Sequence, residues 1–142
     1  MLQVNNLVVR YGGITAVDGI SLQIDQHETV ALIGANGAGK TTTLHAISGL
    51  LKAAGGQILF QGEDITKTPA EAVVARGVIQ VPEGRQVFSK LTIEENLKLG
   101  AYLQKDKEKI RDTYEKVMTL FPILRERRRQ AAGTLSGGEQ QM

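Results

Sequence analysis

Three observations on this 142-residue sequence predict an α/β fold. Short apolar or alternating runs, the mark of β-strands, fill the chain up to Phe60. A glycine-rich stretch from Gly34 to Gly39 separates one apolar run from a helical one. Beyond Thr68 the chain is punctuated by helix-start signals.

The elements follow in order. Leu2, Val4 and Leu7-Val8-Val9 form an extended run, and Ile20-Ser21-Leu22-Gln23-Ile24 alternates as a half-buried strand should. After the turn Asp25 to Glu28, Thr29-Val30-Ala31-Leu32-Ile33 is apolar on both faces, which predicts a buried parallel strand. Lys40 to Leu51 reads as helix, and Gln57 to Phe60 as a further strand behind Gly55-Gly56. Thr68-Pro69-Ala70-Glu71 has the form of a capping box with proline at the first helical position. Val78 to Val81 reads as a second buried strand, so the parallel core is expected to hold two strands, 29–33 and 78–81, with an unpaired apolar edge. Thr92-Ile93-Glu94-Glu95 is a second capping box, opening a helix to about Leu103. In the next helix Ile110, Tyr114, Val117, Met118 and Phe121 share one face, and Pro122 ends or kinks it. Ser136-Gly137-Gly138-Glu139 is a third box, with only Gln140, Gln141 and Met142 behind it. A remnant that short cannot repay helix nucleation, so the chain is expected to be a fragment.

Composition narrows the function. Lys+Arg 17 against Asp+Glu 15 leaves +2, too slight a balance to draw nucleic acid or an acidic membrane by bulk attraction. Cysteine is absent, which excludes disulfides, thiolate metal sites and cysteine nucleophiles. The two histidines, His27 and His45, are too few for a histidine-rich metal cluster. No targeting segment and no membrane-length apolar run is present, which predicts a cytosolic chain. The cluster Arg125, Arg127, Arg128, Arg129 has no interleaved aromatics and reads as a solvated helix end. Sixteen glycines stand well above the roughly 7% of average chains.

Those glycines concentrate in Gly34-Ala35-Asn36-Gly37-Ala38-Gly39-Lys40-Thr41, which matches G-x-x-x-x-G-K-[ST] between a strand and a helix. Composition alone would produce the pattern in about one chain in a hundred, and the strand–helix context lowers that several-fold. In such a phosphate-binding loop, glycines let backbone N–H groups converge on an anion, and the helix dipole assists. Lys40 reaches the β- and γ-phosphates as a point charge, and Thr41 offers its hydroxyl to Mg²⁺. A second turn, Leu135-Ser136-Gly137-Gly138-Glu139, places a hydroxyl and glycine N–H groups at another helix start, although such a turn is more often a plain cap.

With this turn downstream of the P-loop, the chain resembles the ATP-binding-cassette (ABC) ATPases. Val81-Pro82-Glu83-Gly84-Arg85-Gln86-Val87-Phe88, Leu91 to Leu97, Phe121-Pro122 and Ala132 to Met142 look, within that family, like the ATP-binding subunits of branched-chain amino-acid importers, the second of their two ATPases above all. The resemblance implies a P-loop NTPase core with an antiparallel β subdomain (together 1–87), a helical subdomain (88–135) and a signature motif (135–142), the fold being cut after that motif. It implies ATP and Mg²⁺ as ligands. Gly34, Asn36, Gly37, Ala38, Gly39, Lys40, Thr41 and Thr42 would hold the phosphates, with Lys40 catalytic. Tyr11 would stack on adenine, and Val17 would touch the nucleotide or simply pack. Glu83, the second implied catalytic residue, stands where most of the family has a glutamine that touches Mg²⁺ and the attacking water; a carboxylate can also hold Mg²⁺, but its charge opposes the γ-phosphate. Ser136, Gly137 and Gly138 would close over the γ-phosphate held by a second ABC ATPase subunit, identical or not.

The implied partners are integral-membrane permeases, docked near Glu83 to Leu103, and indirectly a substrate-binding protein, but no nucleic acid. The implied place is the cytoplasmic face of the inner membrane. The family's Asp-Glu strand end and its later histidine have no counterpart in the sequence, so the chain alone is expected to hydrolyse little. Other readings are a standalone truncated nucleotide-binding module and the ATPase of a urea or amide importer. A DNA-maintenance ABC protein would need a long coiled-coil insertion between the P-loop and the signature, which is absent.

Overall fold

A computed structural model describes residues 1–84 and 86–142. Arg85, within the Glu83-bearing segment, lies outside the described residues. The chain forms two compact units, Met1–Gln80 and Val81–Met142.

The first unit is built on an antiparallel sheet. Its strands are β1 (Leu2–Tyr11), β2 (Ile14–Ile24), β3 (Gly55–Phe60) and β4 (Glu63–Asp64), in the order β2-β1-β3-β4. Leu2 pairs with Ile24 on one side and Phe60 on the other, and Val4 with Leu22 and Ile58. Val4, Leu7 and Val9 are all buried, although the step from Val4 to Leu7 breaks a period of two. A bulge resolves the conflict. The register shifts after Val4, and Asn6 takes a φ of 47° with its N–H donated to the Ser21 hydroxyl at 2.8 Å. Gly56, at φ 84°, lies against this bulge, where a Cβ would collide with the Asn5 and Asn6 carbonyls. Only glycine fits there.

Helices α1 (Lys40–Ile47) and α2 (Ala70–Ala75) complete the unit. Ala46 and Ile47 of α1 and Val73 of α2 join Val4, Leu7, Val9, Val17, Ile58 and Ile65 in one core. The start of α2 differs from expectation. Pro69, with φ −68° and ψ 153°, is itself the cap residue, and no side chain caps the helix. Thr68 is therefore one residue too early to close a box with Glu71.

The expected parallel strands also differ. Neither 29–33 nor 78–81 is a strand, and Ile33 and Ile79 are 90% and 68% exposed. A strand buried on both faces needs ladder partners as well as cover. Among the described residues no strand pairs with either run, so apolar character alone leaves them irregular.

The second unit is helical: α3 (Ile93–Gly100), α4 (Lys107–Leu120) and α5 (Pro122–Glu126). The Thr92 box forms as expected. Its hydroxyl accepts from the Glu95 N–H at 3.2 Å, while the Glu95 carboxylate accepts from the Thr92 N–H at 2.8 Å. Asp106 caps α4 through the Glu108 and Lys109 N–H groups, and Pro122 opens α5 after the break at Phe121. Ile93, Met118, Leu124 and Leu135 make the core, with Tyr114, Val117 and Phe121 of the expected stripe packed on it. No helix among the described residues is long and apolar enough to cross a membrane.

Candidate functional site

The loop before α1 is shaped by its main chain. Gly37 and Gly39 both take φ 84°, and the Ala38 N–H turns back to the Ala35 carbonyl at 3.1 Å. Gly39 is also pressed against β2: a Cβ there would stand 2.6 Å from the Ala16 carbonyl and 3.1 Å from Val17 Cγ2. Val17 is thus a core residue, 4% exposed, that backs the loop.

Lys40 folds over the loop and donates from Nζ to the Gly34 and Ala35 carbonyls, each at 2.8 Å. Thr43 is fully buried and donates its hydroxyl back to the Gly39 carbonyl at 2.8 Å, which pins the first turn of α1. No side chain caps this helix. Among the described residues, no protein acceptor takes the N–H of Lys40, Thr41 or Thr42, and the Thr41 hydroxyl is unpaired. Three open N–H groups, an ammonium and a free hydroxyl at one helix start fit a phosphate with its metal ion. Asn36 and Gly37 are exposed on the same loop.

Tyr11 ends β1, beside the Gly12-Gly13 turn, and pairs in register with Ile14. The two are 49% and 72% exposed, an apolar pair presented at a hairpin tip. The first unit therefore holds Tyr11, Val17 and the residues from Gly34 to Thr42.

Glu83 and the Ser136 turn belong to the second unit. Glu83 is exposed on a turn with Gly84 at φ 78°. Ser136, Gly137 and Gly138 form a reciprocal box with Glu139. Its carboxylate Oε2 accepts from the Ser136 N–H at 2.7 Å, and the Ser136 hydroxyl accepts from the Glu139 N–H at 3.4 Å. The hydrogen bonds from Ser136, with the Arg127 charge, hold the Glu139 carboxyl below its ordinary range. Arg127 Nη1 lies 3.1 Å from the other oxygen, Oε1.

Sequence reasoning puts Arg127 in a solvated basic run and misses this pair. The signal is an arginine upstream of a capping glutamate, which only the fold can bring together. Asn96 is missed too. It accepts from the Phe88 N–H at 2.9 Å and donates to the Phe88 and Thr92 carbonyls, fastening the exposed Phe88 to α3.

The G-x-x-x-x-G-K-[ST] sequence, folded as a glycine loop with left-handed turns that opens a helix, points to the class of P-loop nucleotide-binding proteins, although the expected strand before it is not formed. Within that class, residues 17–142 match the family described as ABC transporter, and the chain belongs to it. It is 45% identical over 142 residues to the high-affinity branched-chain amino acid transport ATP-binding protein BraG of Pseudomonas aeruginosa. It is 37% identical over the same length to the probable branched-chain amino acid transport ATP-binding protein LivF of Archaeoglobus fulgidus. In each case 100% of this chain is covered but only 60% of the relative. Among solved structures, a nucleotide-free ATP-binding cassette from an ABC transporter superposes with a TM-score of 0.81 at 27% identity, covering 99% of this chain and 60% of that one. A cassette in its ADP conformation gives 0.76 at 26% identity, with the same two shares.

Proposed function

We propose that this chain is part of the ATP-binding subunit that energises import of branched-chain amino acids through an ABC transporter. The observation that carries the ATP reading is the cradle at the start of α1, where Lys40, the Thr41 hydroxyl and three unpaired N–H groups converge. Its N–H donors and its one ammonium suit a phosphate group, with Mg²⁺ left to offset the remaining charge of a triphosphate. The solute comes from the names of the two relatives that match over the whole chain.

The roles follow from the chemistry. Gly34, Asn36, Gly37, Ala38, Gly39 and Thr42 line the phosphates, and Lys40 offsets one of their charges. Tyr11 offers an exposed ring to the adenine, and Val17 supports the loop from behind. Thr41 is an oxygen donor for Mg²⁺, which would offset charge between the phosphates. Ser136, Gly137 and Gly138 serve the γ-phosphate bound by a second ATPase subunit. Phe88, held out by Asn96, would belong to the surface that receives a membrane-embedded permease, with the subunit on the cytoplasmic face of the membrane. A substrate-binding protein would deliver the solute to that permease. ATP binding closes the paired subunits and switches the permeases, and hydrolysis by the whole protein resets them.

The test is titration of the chain with a fluorescent ATP analogue, with and without Mg²⁺. Saturable binding that inorganic triphosphate displaces is expected. Lys40→Ala should weaken it by roughly 10- to 150-fold, the equivalent of about 1.5–3 kcal/mol for hydrogen bonds to a charged group. Binding that is indifferent to Lys40→Ala would sink the assignment.

A further inference from the structure

The turn at Ser136 has a support outside the glycine motif. Glu139 is held on both carboxylate oxygens. Oε2 accepts the Ser136 N–H at 2.7 Å, and Oε1 faces the Arg127 guanidinium at 3.1 Å. Glu139 is largely covered, with its side chain 20% exposed, while Arg127 is 45% exposed. The backbone alone does not fix this turn: neither Gly137 nor Gly138 has a positive φ, and a Cβ at Gly138 would meet nothing within 4 Å. Side chains set its geometry together with the backbone bond from the Gln140 N–H to the Ser136 carbonyl at 3.0 Å. Arg127 itself is anchored from behind, where its N–H donates to the Ile123 carbonyl at 3.1 Å at the end of α5. The guanidinium therefore approaches Glu139 from a fixed helix end.

We propose that Arg127 is a positioning residue for the Ser136 turn, acting through Glu139 to hold the Ser136 hydroxyl in place for the γ-phosphate of a partner-bound nucleotide. The proposal rests on the reading of Ser136 to Gly138 given above. Arg127 touches no nucleotide. It keeps the Glu139 carboxylate aimed at the Ser136 N–H, so that the hydroxyl is presented on a turn already closed. A partly exposed ion pair changes an equilibrium by roughly five-fold at most. A dimer that uses the turn twice would feel about twenty-five-fold.

Two readouts on the 142-residue chain test this. The first is amide exchange at Ser136, which reports the linkage with no nucleotide present. Arg127→Ala should speed it about five-fold, and Arg127→Lys should restore most of the protection. The second is Mg-ATP-dependent dimerisation followed by sedimentation. Arg127→Ala should weaken it about twenty-five-fold while leaving its own fluorescent-ATP affinity as a monomer unchanged, and Ser136→Ala should weaken dimerisation at least as much. Unchanged Ser136 exchange in Arg127→Ala overturns the inference whether or not the chain dimerises. If Ser136→Ala blocks dimerisation and Arg127→Ala does not, the inference falls and the reading of the turn survives. If Ser136→Ala dimerises like the parent, both fall.

Discussion

The two glycine-rich turns of this chain look alike in sequence and are built on opposite principles. The Gly34–Lys40 loop is a main-chain construction: left-handed glycines at 37 and 39, a lysine folded onto two carbonyls, and a buried threonine pinning the helix behind it. The Ser136 turn has ordinary backbone angles and is held by a hydroxyl, a carboxylate and a guanidinium. Glycine is obligatory in the first for conformational reasons. In the second, Gly138 takes an ordinary φ of −69° with open space around it. The first turn takes its shape from backbone angles that glycine permits, and the second from side chains that are tied.

The sharpest way to break that contrast is a pair of alanine substitutions. Gly39→Ala forces a side chain into φ 84° and against the Ala16 carbonyl at 2.6 Å, a backbone atom that cannot swing aside. The left-handed conformation alone costs about 1–2 kcal/mol, and the collision brings the expected loss to about 2–4 kcal/mol. Gly138→Ala, at φ −69° in open space, should change stability by no more than about 0.5 kcal/mol. Urea denaturation of both variants checks this. Equal losses would mean that the two turns are built alike after all.

The same contrast explains which features are legible in the residues themselves. Turns that depend on a few local residues are legible: the Thr92 box caps α3, the glycine loop opens a helix at Lys40, and the Ser136–Glu139 bonds form, although the short 3-10 turn there begins only at Glu139 with Gly138 as its cap. Strands of the antiparallel sheet are legible too, because β1, β2 and β3 find their partners among themselves. What fails needs something beyond local sequence. The runs 29–33 and 78–81 have the composition of buried strands, yet strand formation is decided by neighbours, and none pairs with them among the described residues. The Thr68 box fails by a single residue, because Pro69 takes the cap position itself. Asn5 and Asn6 look like a mere interruption of alternation. The bulge they form is what brings Leu7 and Val9 to the core face.

A middle-sized effect is expected where a side-chain box works without glycine. Thr92→Ala removes the acceptor for the Glu95 N–H at the start of α3 and should cost about 1 kcal/mol, read from the urea midpoint. Thr68→Ala provides the control. With no capping bond at α2, it should cost clearly less. If the two cost the same, capping is not what distinguishes those helix starts.

The smallest expected effect concerns acid, and it sharpens the contrast by chemistry rather than by sterics. The features that hold the first loop, its left-handed glycines and the Thr43 hydroxyl bond, carry no carboxylate to protonate. The Ser136 turn contains Glu139, whose folded-state pKa lies below its ordinary value because Ser136 donates to it and Arg127 faces it. A lowered folded pKa means that the unfolded chain binds the proton more readily, so the stabilisation is complete above the ordinary glutamate value and is lost as pH falls through the folded one. The Ser136 amide resonance should therefore move as pH is lowered below about 4.5, while Glu139→Gln, which keeps an acceptor but cannot titrate, should flatten that response. The amides of Ala38 and Thr43, bonded to main-chain carbonyls, should stay still over the same range. A Ser136 response that persists in Glu139→Gln would place the titrating group elsewhere, and the turn would then owe its shape to something other than the Arg127–Glu139–Ser136 chain.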